Sequence, residues 1–386
     1  MAYKKNSKGS NVVKKAFDTL FASPAYTDPI ASYKATLAAL EPPAEETPAT
    51  REQWEQIYEV TKNIRLLEPW NYLHESERIT LLLPCREEPV YMVVMGSGDM
   101  TYGIGIYPGY NSVQRLMKML ENTLDEDDMS AAFEQHCINL YFGNREELEA
   151  RDRAVIKELG LKFRGKHEWP YFRSMKPGYM PWHINTDEAE LVIAALQNFA
   201  MAAVCYAAGE IKADFENGET LLRFYDADSD MWYNTAVKMP PIPIMSPKLA
   251  ISDELLIARL NRKKKTRTRL AFGLTYIPAP IQENKNQRPK VPRLAILIDL
   301  ESGTPVGYTL NDGSEFIGKT ITEMLADYVS DCGRPASIAV ADEDTGLFIV
   351  DLAEKLGIKL IEDENLSKIN NMIMGMMNMM SEVDIP

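Results

Sequence analysis

Hydrophobic and polar positions follow a regular order from Arg51 onward, where Trp54, Ile57 and Ile64 recur at helical spacing. Short apolar runs typical of strands come next, interrupted by further stretches of helical spacing. The predicted elements are strands at 79–83, 90–95 and 102–107, a helix over 112–124, a strand at 137–142, a helix, and a strand at 161–163. This pattern predicts a mixed α/β module with the order βββαβαβ.

The second half of the chain repeats this order after a helical pattern around Leu255 and Leu260. Its predicted elements are strands at 270–277, 294–299 and 304–310, a helix over 314–329, a strand at 337–341, a helix over 345–356, and a strand at 358–361. Residues 158–162 (ELGLK) also parallel residues 355–359 (KLGIK), and each glycine would end a helix. We therefore predict an internal duplication, in which two modules share one strand order.

This order of elements resembles that of ribonuclease-H-like folds, most clearly in the C-terminal part of the chain. There the first three strands would pair antiparallel, and the later strands, which need crossovers, would lie parallel. Asp299 and Asp342 each end a predicted strand, as in the integrase branch of that fold. The resemblance implies a metal-dependent nuclease in which these two carboxylates hold catalytic ions, with Glu362, Asp363 or Glu364 as a third ligand. A structural role stays open, because aspartate at a strand end also serves in turns and helix caps.

Composition divides the chain into four segments. Residues 1–50 are predicted to form a short helical arm and an acidic, proline-rich linker, because residues 41–50 (EPPAEETPAT) lack large apolar side chains. Residues 51–165 and 251–386 are the two predicted α/β modules. The middle segment, residues 166–250, holds an aromatic-rich stretch, a long helix and a hairpin, and it ends in a run of prolines.

Overall composition is that of a globular protein with an acidic surface. The 386 residues are 45% hydrophobic and 25% charged, and the formal net charge is −14. A surface this acidic repels phosphate backbones and anionic lipid. No uninterrupted apolar run reaches the roughly 20 residues that cross a bilayer, so no membrane partner is expected. The four cysteines lie far apart without a CxxC pair, and we expect reduced, mostly buried thiols in a cytoplasmic protein.

Motifs for metal or cofactor binding fail on their spacing. Asp226, Asp228 and Asp230 open like an EF-hand loop, but Met231 and Val237 occupy the positions that need glycine and glutamate. The four histidines are dispersed, and the HExxH, GxSxG, Walker A and dinucleotide fingerprints are absent. We therefore predict no metal and no cofactor.

The stretch from Trp169 to His183 combines aromatic residues and an arginine with three prolines that stiffen it. Rigid aromatic side chains and arginine dominate protein interfaces, which makes this stretch the best candidate binding site. The alternative is a structural loop whose aromatics are buried against the long helix that begins near Asp187. The predicted binding residues are Trp169, Tyr171, Arg173, Tyr179, Trp182 and His183.

Residues 262–269 (RKKKTRTR) are the only dense basic run in the sequence. They form either a solvated helix end, where cations suit the helix dipole, or a contact for nucleic-acid phosphates. The last predicted helix carries six methionines between Met372 and Met380, which suit a core gap or an adaptable partner surface.

Two longer stretches resemble uncharacterised bacterial domain families. The first runs from Trp54 to Tyr110 and includes Glu68-Pro69-Trp70 and Val94-Met95-Gly96; the second is C-terminal and includes Gly333-Arg334-Pro335 and Leu356-Gly357-Ile358. Neither resemblance implies an activity. Because no complete catalytic set is present, the leading interpretation is a non-enzymatic binding or scaffold protein with an unidentified protein partner. The alternatives are the nuclease and a nucleic-acid binder that acts through residues 262–269.

Overall fold

Two mixed β-sheets, of seven and five strands, organise the part of the chain that the computed structural model describes. That part comprises residues 7–28, 46–96, 101–121, 133–239, 241–243, 251–277, 279–312, 317–341, 343–363 and 366. The chain divides into two units. The first unit takes its described residues from 1–121, 135–176 and 181–245, and the second takes them from 122–134, 177–180 and 246–386.

Helices of the first unit begin at side chains that cap them. Thr50 and Gln53 form a reciprocal capping box before the third helix, and Asn185 and Glu188 form another before the sixth. The described helices are α1 (Ser7–Phe21), α2 (Pro24–Thr27), α3 (Arg51–Leu67), α4 (Gly109–Glu121), α5 (Ala150–Glu158) and α6 (Thr186–Ala207). The strands are β1 (Ile79–Leu82), β2 (Val90–Met95), β3 (Tyr102–Pro108), β4 (Cys137–Gly143), β5 (Trp169–Met175), β6 (Glu219–Asp226) and β7 (Met231–Lys238).

Strand order in the first unit is β5-β4-β3-β2-β1-β6-β7. Strands β1 to β5 form an antiparallel meander, in which Gly105 of β3 lies opposite Asn139 of β4. On the other side of β1, strand β6 pairs parallel, with Thr80 opposite Leu222, and β7 then pairs antiparallel with β6. The middle part of the sequence therefore supplies both edges of this sheet.

Helices α3 and α6 cover one face of the seven-stranded sheet and enclose the main core of the first unit. Ile57 and Ile64 of α3 and Val192, Leu196 and Phe199 of α6 are buried there. The opposite face carries a smaller core with buried Leu20, Tyr91, Tyr107, Tyr110 and Leu116.

Helix α6 is long and apolar enough, by length and composition alone, to cross a membrane. In the first unit it is a core helix, packed against α3 and against the strands. The apolar composition of α6 is explained by this packing, because the stripe of its surface that contains Val192, Leu196 and Phe199 is buried in the core.

The second unit is built on a five-stranded sheet with helices packed on one face. Its strands are β8 (Arg269–Tyr276), β9 (Arg293–Asp299), β10 (Pro305–Asn311), β11 (Ser337–Val340) and β12 (Lys359–Glu362). Its described helices are α7 (Glu254–Asn261), α8 (Ile317–Cys332), α9 (Glu343–Leu347) and α10 (Val350–Leu356). Leu325 and Val329 of α8 and Leu352 of α10 are buried on Phe272 and Leu297 of the sheet.

Strand order in the second unit is β10-β9-β8-β11-β12. The three consecutive strands β8, β9 and β10 pair antiparallel, whereas β11 lies parallel to β8 and β12 lies parallel to β11. This arrangement confirms the ribonuclease-H-like topology predicted for this half of the chain.

The predicted internal duplication is wrong. In the second unit the fourth strand, β11, crosses over to pair parallel with β8, but in the first unit the fourth strand, β4, pairs antiparallel with β3. The place beside β1 is taken by β6 instead. The short sequence matches between the halves therefore reflect shared turn and helix-end chemistry rather than a shared fold.

Several smaller predictions also differ from the structure. Residues 161–163 form no strand, and the fifth strand is β5. The described residues of 166–176 and 181–245 in the middle segment belong to the first unit, and so does α1, the helix of the predicted arm. All four cysteines are free, but Cys85 and Cys332 are exposed rather than buried. The methionine-rich stretch 372–380 lies outside the described residues.

Candidate functional site

The aromatic stretch predicted as a binding loop is a strand for half its length. Residues Trp169–Met175 form β5, the edge of the seven-stranded sheet, where Tyr171 lies opposite Tyr141 and Arg173 opposite Asn139. The chain then returns, and Trp182 exchanges backbone hydrogen bonds with Ser174 before α6 begins. Most of this stretch is therefore fixed by backbone pairing within the first unit.

Arg173 is buried, contrary to the exposed position that a binding role requires. Its Nη1 donates to Asp152 Oδ1 at 3.1 Å, and its Nη2 donates to Asp152 Oδ2 at 2.8 Å. Glu149 Oε1 lies 3.1 Å from the same Nη2. Burial by itself lowers the pKa of Arg173, but the hydrogen bonds to Asp152 outweigh burial and raise it. The guanidinium is thus a permanent cation that ties β5 to α5 and its N-cap.

His183 completes this network, which we call the Arg173 cluster: Glu149, Asp152, Arg173 and His183. The Nε2 atom of His183 lies 3.1 Å from Glu149 Oε2, and its Nδ1 atom lies 3.8 Å from Asp152 Oδ1. Burial lowers the pKa of His183, and this outweighs the opposing effect of the two carboxylates. A neutral imidazole at pH 7 suits a structural hydrogen-bond partner better than a cationic binding group.

The other predicted binding residues do not gather into one surface. Tyr171 is half-buried between the guanidinium of Arg173, 4.9 Å from its ring, and the ring of Tyr141 at 5.2 Å. Trp182 is half-buried with Arg151 5.1 Å from its ring centre, and Trp169 packs against Phe163. Tyr179, by contrast, lies in the second unit, where it pairs with Lys290.

The candidate nuclease carboxylates also have structural roles or lie outside the described residues. Asp299 Oδ1 accepts the backbone N–H groups of Ser302 at 2.9 Å and Glu301 at 2.8 Å. These hydrogen bonds lower the pKa of Asp299 and identify it as the cap of the β9–β10 turn. Asp342 and Glu364 lie outside the described residues, while Glu362 ends β12 and Asp363 follows it.

The basic run forms an ordered loop between α7 and β8, which we call the basic loop (residues 262–268). Arg334 holds it in place. Its Nε donates to Lys263 O at 3.1 Å, and its Nη1 donates to Asn261 Oδ1 at 2.9 Å. Its backbone N–H donates to Lys264 O, and its carbonyl accepts from Thr266 N, both at 2.8 Å.

Gly333 allows this close approach. Its φ of +97° lies in a region that side chains disfavour, and an added Cβ would lie only 2.7 Å from Lys264 O. The Gly333-Arg334 pair is therefore a clamp on the basic loop. Sequence reasoning missed this role, although the Gly-Arg-Pro tripeptide was visible as a motif.

Five cations of this region point to solvent. Arg262, Lys264, Lys265, Arg267 and Arg269 are exposed, and none of them forms an ion pair with a carboxylate anywhere in the described ranges. Lys359 extends the set, because β8, β11 and β12 place it in one row with Arg269, on either side of Ser337. One end of the second unit's sheet therefore presents positive charge that has no ion-pair partner within the described part of the chain.

Fold and site together describe a mixed α/β protein whose two units have different strand orders. Residues 54–223 match the family model described as domain of unknown function DUF7309. Residues 256–377 match the model described as domain of unknown function DUF6930. The two matches lie in separate parts of the chain, in line with the two resemblances found in its sequence.

No functionally curated protein matches this sequence. Among solved structures, the chain is similar to the catalytic core domain of the HTLV-2 integrase in complex with magnesium, in its trimeric form. The identity is 14%, the match covers 32% of this chain and 80% of that chain, and the TM-score is 0.23. A TM-score this low does not support a shared fold. The ribonuclease-H-like topology of the second unit therefore rests on its own strand order.

Proposed function

We propose that this protein is a non-enzymatic binding protein whose second unit holds a nucleic-acid strand on the basic loop. The observation that carries the proposal is the set of exposed cations at 262–269 that lack acidic partners in the described ranges. Cations left unpaired on a surface are available to phosphates, and phosphate contacts supply most of the affinity in non-specific nucleic-acid binding.

The acidic net charge of −14 does not oppose this proposal. At physiological ionic strength charges are screened over about 8 Å, so distant carboxylates act weakly on a ligand at the basic loop. The same acidity repels a nucleic acid from the rest of the surface, which favours a single docking region over general adhesion.

Rigidity of the basic loop also supports binding. The clamp by Gly333 and Arg334 fixes the backbone between Lys263 and Thr266 before any ligand arrives. A pre-ordered loop loses little conformational freedom on association, so more of the electrostatic attraction remains as affinity. The cations then differ from a solvated helix end, because they are presented on an ordered loop at one end of the second unit's sheet.

A non-enzymatic role is part of the proposal. The turn-capping role of Asp299 argues against its use as a metal ligand. A cytoplasmic location is proposed as well, since free cysteines fit a reducing compartment and nucleic acids are abundant there.

The test is binding of a fluorescent 20-nucleotide single-stranded oligonucleotide, measured by anisotropy across a salt series. Single strands give a slope of log affinity against log salt of about −0.7 per phosphate contacted, so three to five contacts predict a slope of about −2 to −3.5. The triple variant Lys264→Ser, Lys265→Ser, Arg267→Ser should reduce the slope by about 2.

The matched control is Lys162→Ser, Arg164→Ser, Lys166→Ser, which removes three exposed cations from the first unit. It should leave affinity and slope close to the wild-type values. Equal losses in both triple variants, or a salt-insensitive affinity, would reject the basic loop as the binding site.

A further inference from the structure

Strand β10 is an open edge of the second unit's sheet. It pairs only with β9, so its outer backbone groups have no strand partner among the described residues. Its exposed side chains include three large apolar ones: Val306 is 38% exposed, Tyr308 75% and Leu310 55%. An open edge of this length with apolar side chains is a template for pairing with another strand.

A groove of about 330 Å³ runs between this edge and helix α8. Gly307 and Thr309 of β10 face the helix side, because they lie opposite Leu297 and Ala295 of the core. The helix side of the groove carries three exposed carboxylates, Glu323, Asp327 and Asp331, at i, i+4 and i+8.

Most of the negative charge of these carboxylates has no cation close to it in the described ranges. Lys319 lies 3.9 Å from Glu323, but within the described ranges Asp327 and Asp331 have no cation within ion-pair distance. Like charges at i, i+4 on a helix repel one another, so an incoming cation relieves a cost that is already present. The groove is therefore complementary to positive charge.

We propose that the β10 edge binds an extended basic segment of a partner protein, which adds to the sheet as a sixth strand. Backbone hydrogen bonds to β10 would hold the segment, and its alternate lysine or arginine side chains would face Glu323, Asp327 and Asp331. This is β-strand addition, in which the edge supplies affinity and the groove supplies selectivity.

The spacing of the two partners supports this pairing. Residues four apart on a helix are separated by about 6 Å along its axis, and alternate residues of a strand by about 6.8 Å. Three alternate cations of a strand therefore match three carboxylates of α8 within about 2 Å in total. The side chains between the cations would lie on the opposite face, beside Tyr308 and Leu310, which favours apolar residues at those positions.

Features at the start of β10 limit unselective pairing. Pro305 lacks a backbone donor, and the ladder with β9 is irregular between Pro305 and Gly307. Both features blunt that end of the edge and leave the stretch after Gly307 for an added strand. The carboxylates repel acidic segments, so charge decides which extended chains bind.

The probe is a nine-residue peptide of alternating lysine and valine, compared with one of alternating glutamate and valine, added to the full chain. Affinity is measured by calorimetry and the contact by hydrogen exchange. We expect the lysine peptide alone to bind and to slow exchange of the amides in β10. Asp327→Asn with Asp331→Asn should weaken binding about tenfold, which the loss of two charge contacts would produce.

A matched control is Glu59→Gln with Glu190→Gln, which removes two exposed helical carboxylates from the first unit and should not change peptide affinity. Tyr308→Lys adds a cation at the edge. Its affinity for the lysine peptide should be lower than that of the wild-type protein, with the melting temperature unchanged. Protection outside β10, or equal affinity of both peptides, would overturn the proposal. Oligonucleotide binding should survive Asp327→Asn with Asp331→Asn, so this inference and the proposed function fail separately.

Discussion

Arg173→Met should strongly destabilise the first unit, because it leaves the carboxylate of Asp152 buried without its cation. The side chain of Asp152 is 7% exposed, and that of Arg173 is 9% exposed. Removal of one partner from a buried ion pair costs about 3–5 kcal/mol, whereas the contact with Glu149, 54% exposed, is screened by solvent and adds little. Methionine keeps much of the side-chain volume, so lost packing should contribute little to the loss.

The assay is urea denaturation followed by tryptophan fluorescence, arranged as a double-mutant cycle with Asp152→Asn. Asparagine retains an oxygen that can accept the Glu149 N–H, which Asp152 Oδ2 accepts at 2.8 Å, so the helix cap is preserved. We expect about 3 kcal/mol of destabilisation for Arg173→Met and a coupling energy of about 1–3 kcal/mol in the cycle. For a domain of 150–250 residues, this loss lowers the melting temperature by about 6–12 °C.

Arg151→Met is the control, since Arg151 is exposed and its guanidinium lies over the ring face of Trp182. It should cost no more than about 1 kcal/mol, the value of an exposed cation–π contact. A cost of Arg173→Met as small as that of this control would contradict a stabilising buried ion pair. Additive effects of Arg173→Met and Asp152→Asn would contradict it too, because the effects of mutating two partners of a buried pair are not additive.

Three further outcomes are expected. Gly333→Ala should destabilise the second unit by about 1–3 kcal/mol in urea denaturation and weaken oligonucleotide binding, because its backbone conformation and its approach to Lys264 exclude a Cβ; unchanged stability would contradict the clamp. Burial lowers the pKa of His183, so its contribution to stability is present above pH 6.5 and is lost as pH falls below the unfolded value; His183→Gln should remove this part of the pH dependence, measured as unfolding free energy between pH 8 and pH 5. Asp299→Ala should lower the melting temperature, whereas Asp299→Asn should not, because asparagine can still cap the turn. The opposite ranking of the two melting temperatures would contradict a capping role.

The strand order of the second unit was predictable because its connections leave few choices. Three short-linked strands pair antiparallel, and helix α8 between β10 and β11 forces a crossover that places β11 parallel to β8. In the first unit the same local pattern led to a wrong strand order. The parallel partner of β1 is β6, which lies about 140 residues further along the chain, as the contact between Thr80 and Thr220 shows. No local periodicity specifies a pairing that distant.

The Arg173 cluster shows the same limit at the level of a site. Composition singled out Arg173 in the aromatic stretch as a binding residue, but its ion pairs depend on Glu149 and Asp152, which come from another part of the chain. Residues 262–269 could be recognised as a basic run from the sequence alone, because a run of cations along the chain is visible without knowledge of tertiary contacts. Their fixation by Arg334 could not be predicted, since it depends on a turn some 70 residues away.

The most direct test of the proposed function is to locate the contact. The full-length protein, bound to a photoreactive single-stranded oligonucleotide at low salt, is irradiated, digested at glutamate, and analysed by mass spectrometry. Cleavage after Glu254 and Glu283 releases residues 255–283, a single fragment that contains the whole basic loop. The proposal predicts that this fragment carries the dominant cross-link and loses it in the Lys264, Lys265, Arg267 triple variant. Cross-links confined to other fragments, or none that compete with unlabelled oligonucleotide, would contradict it.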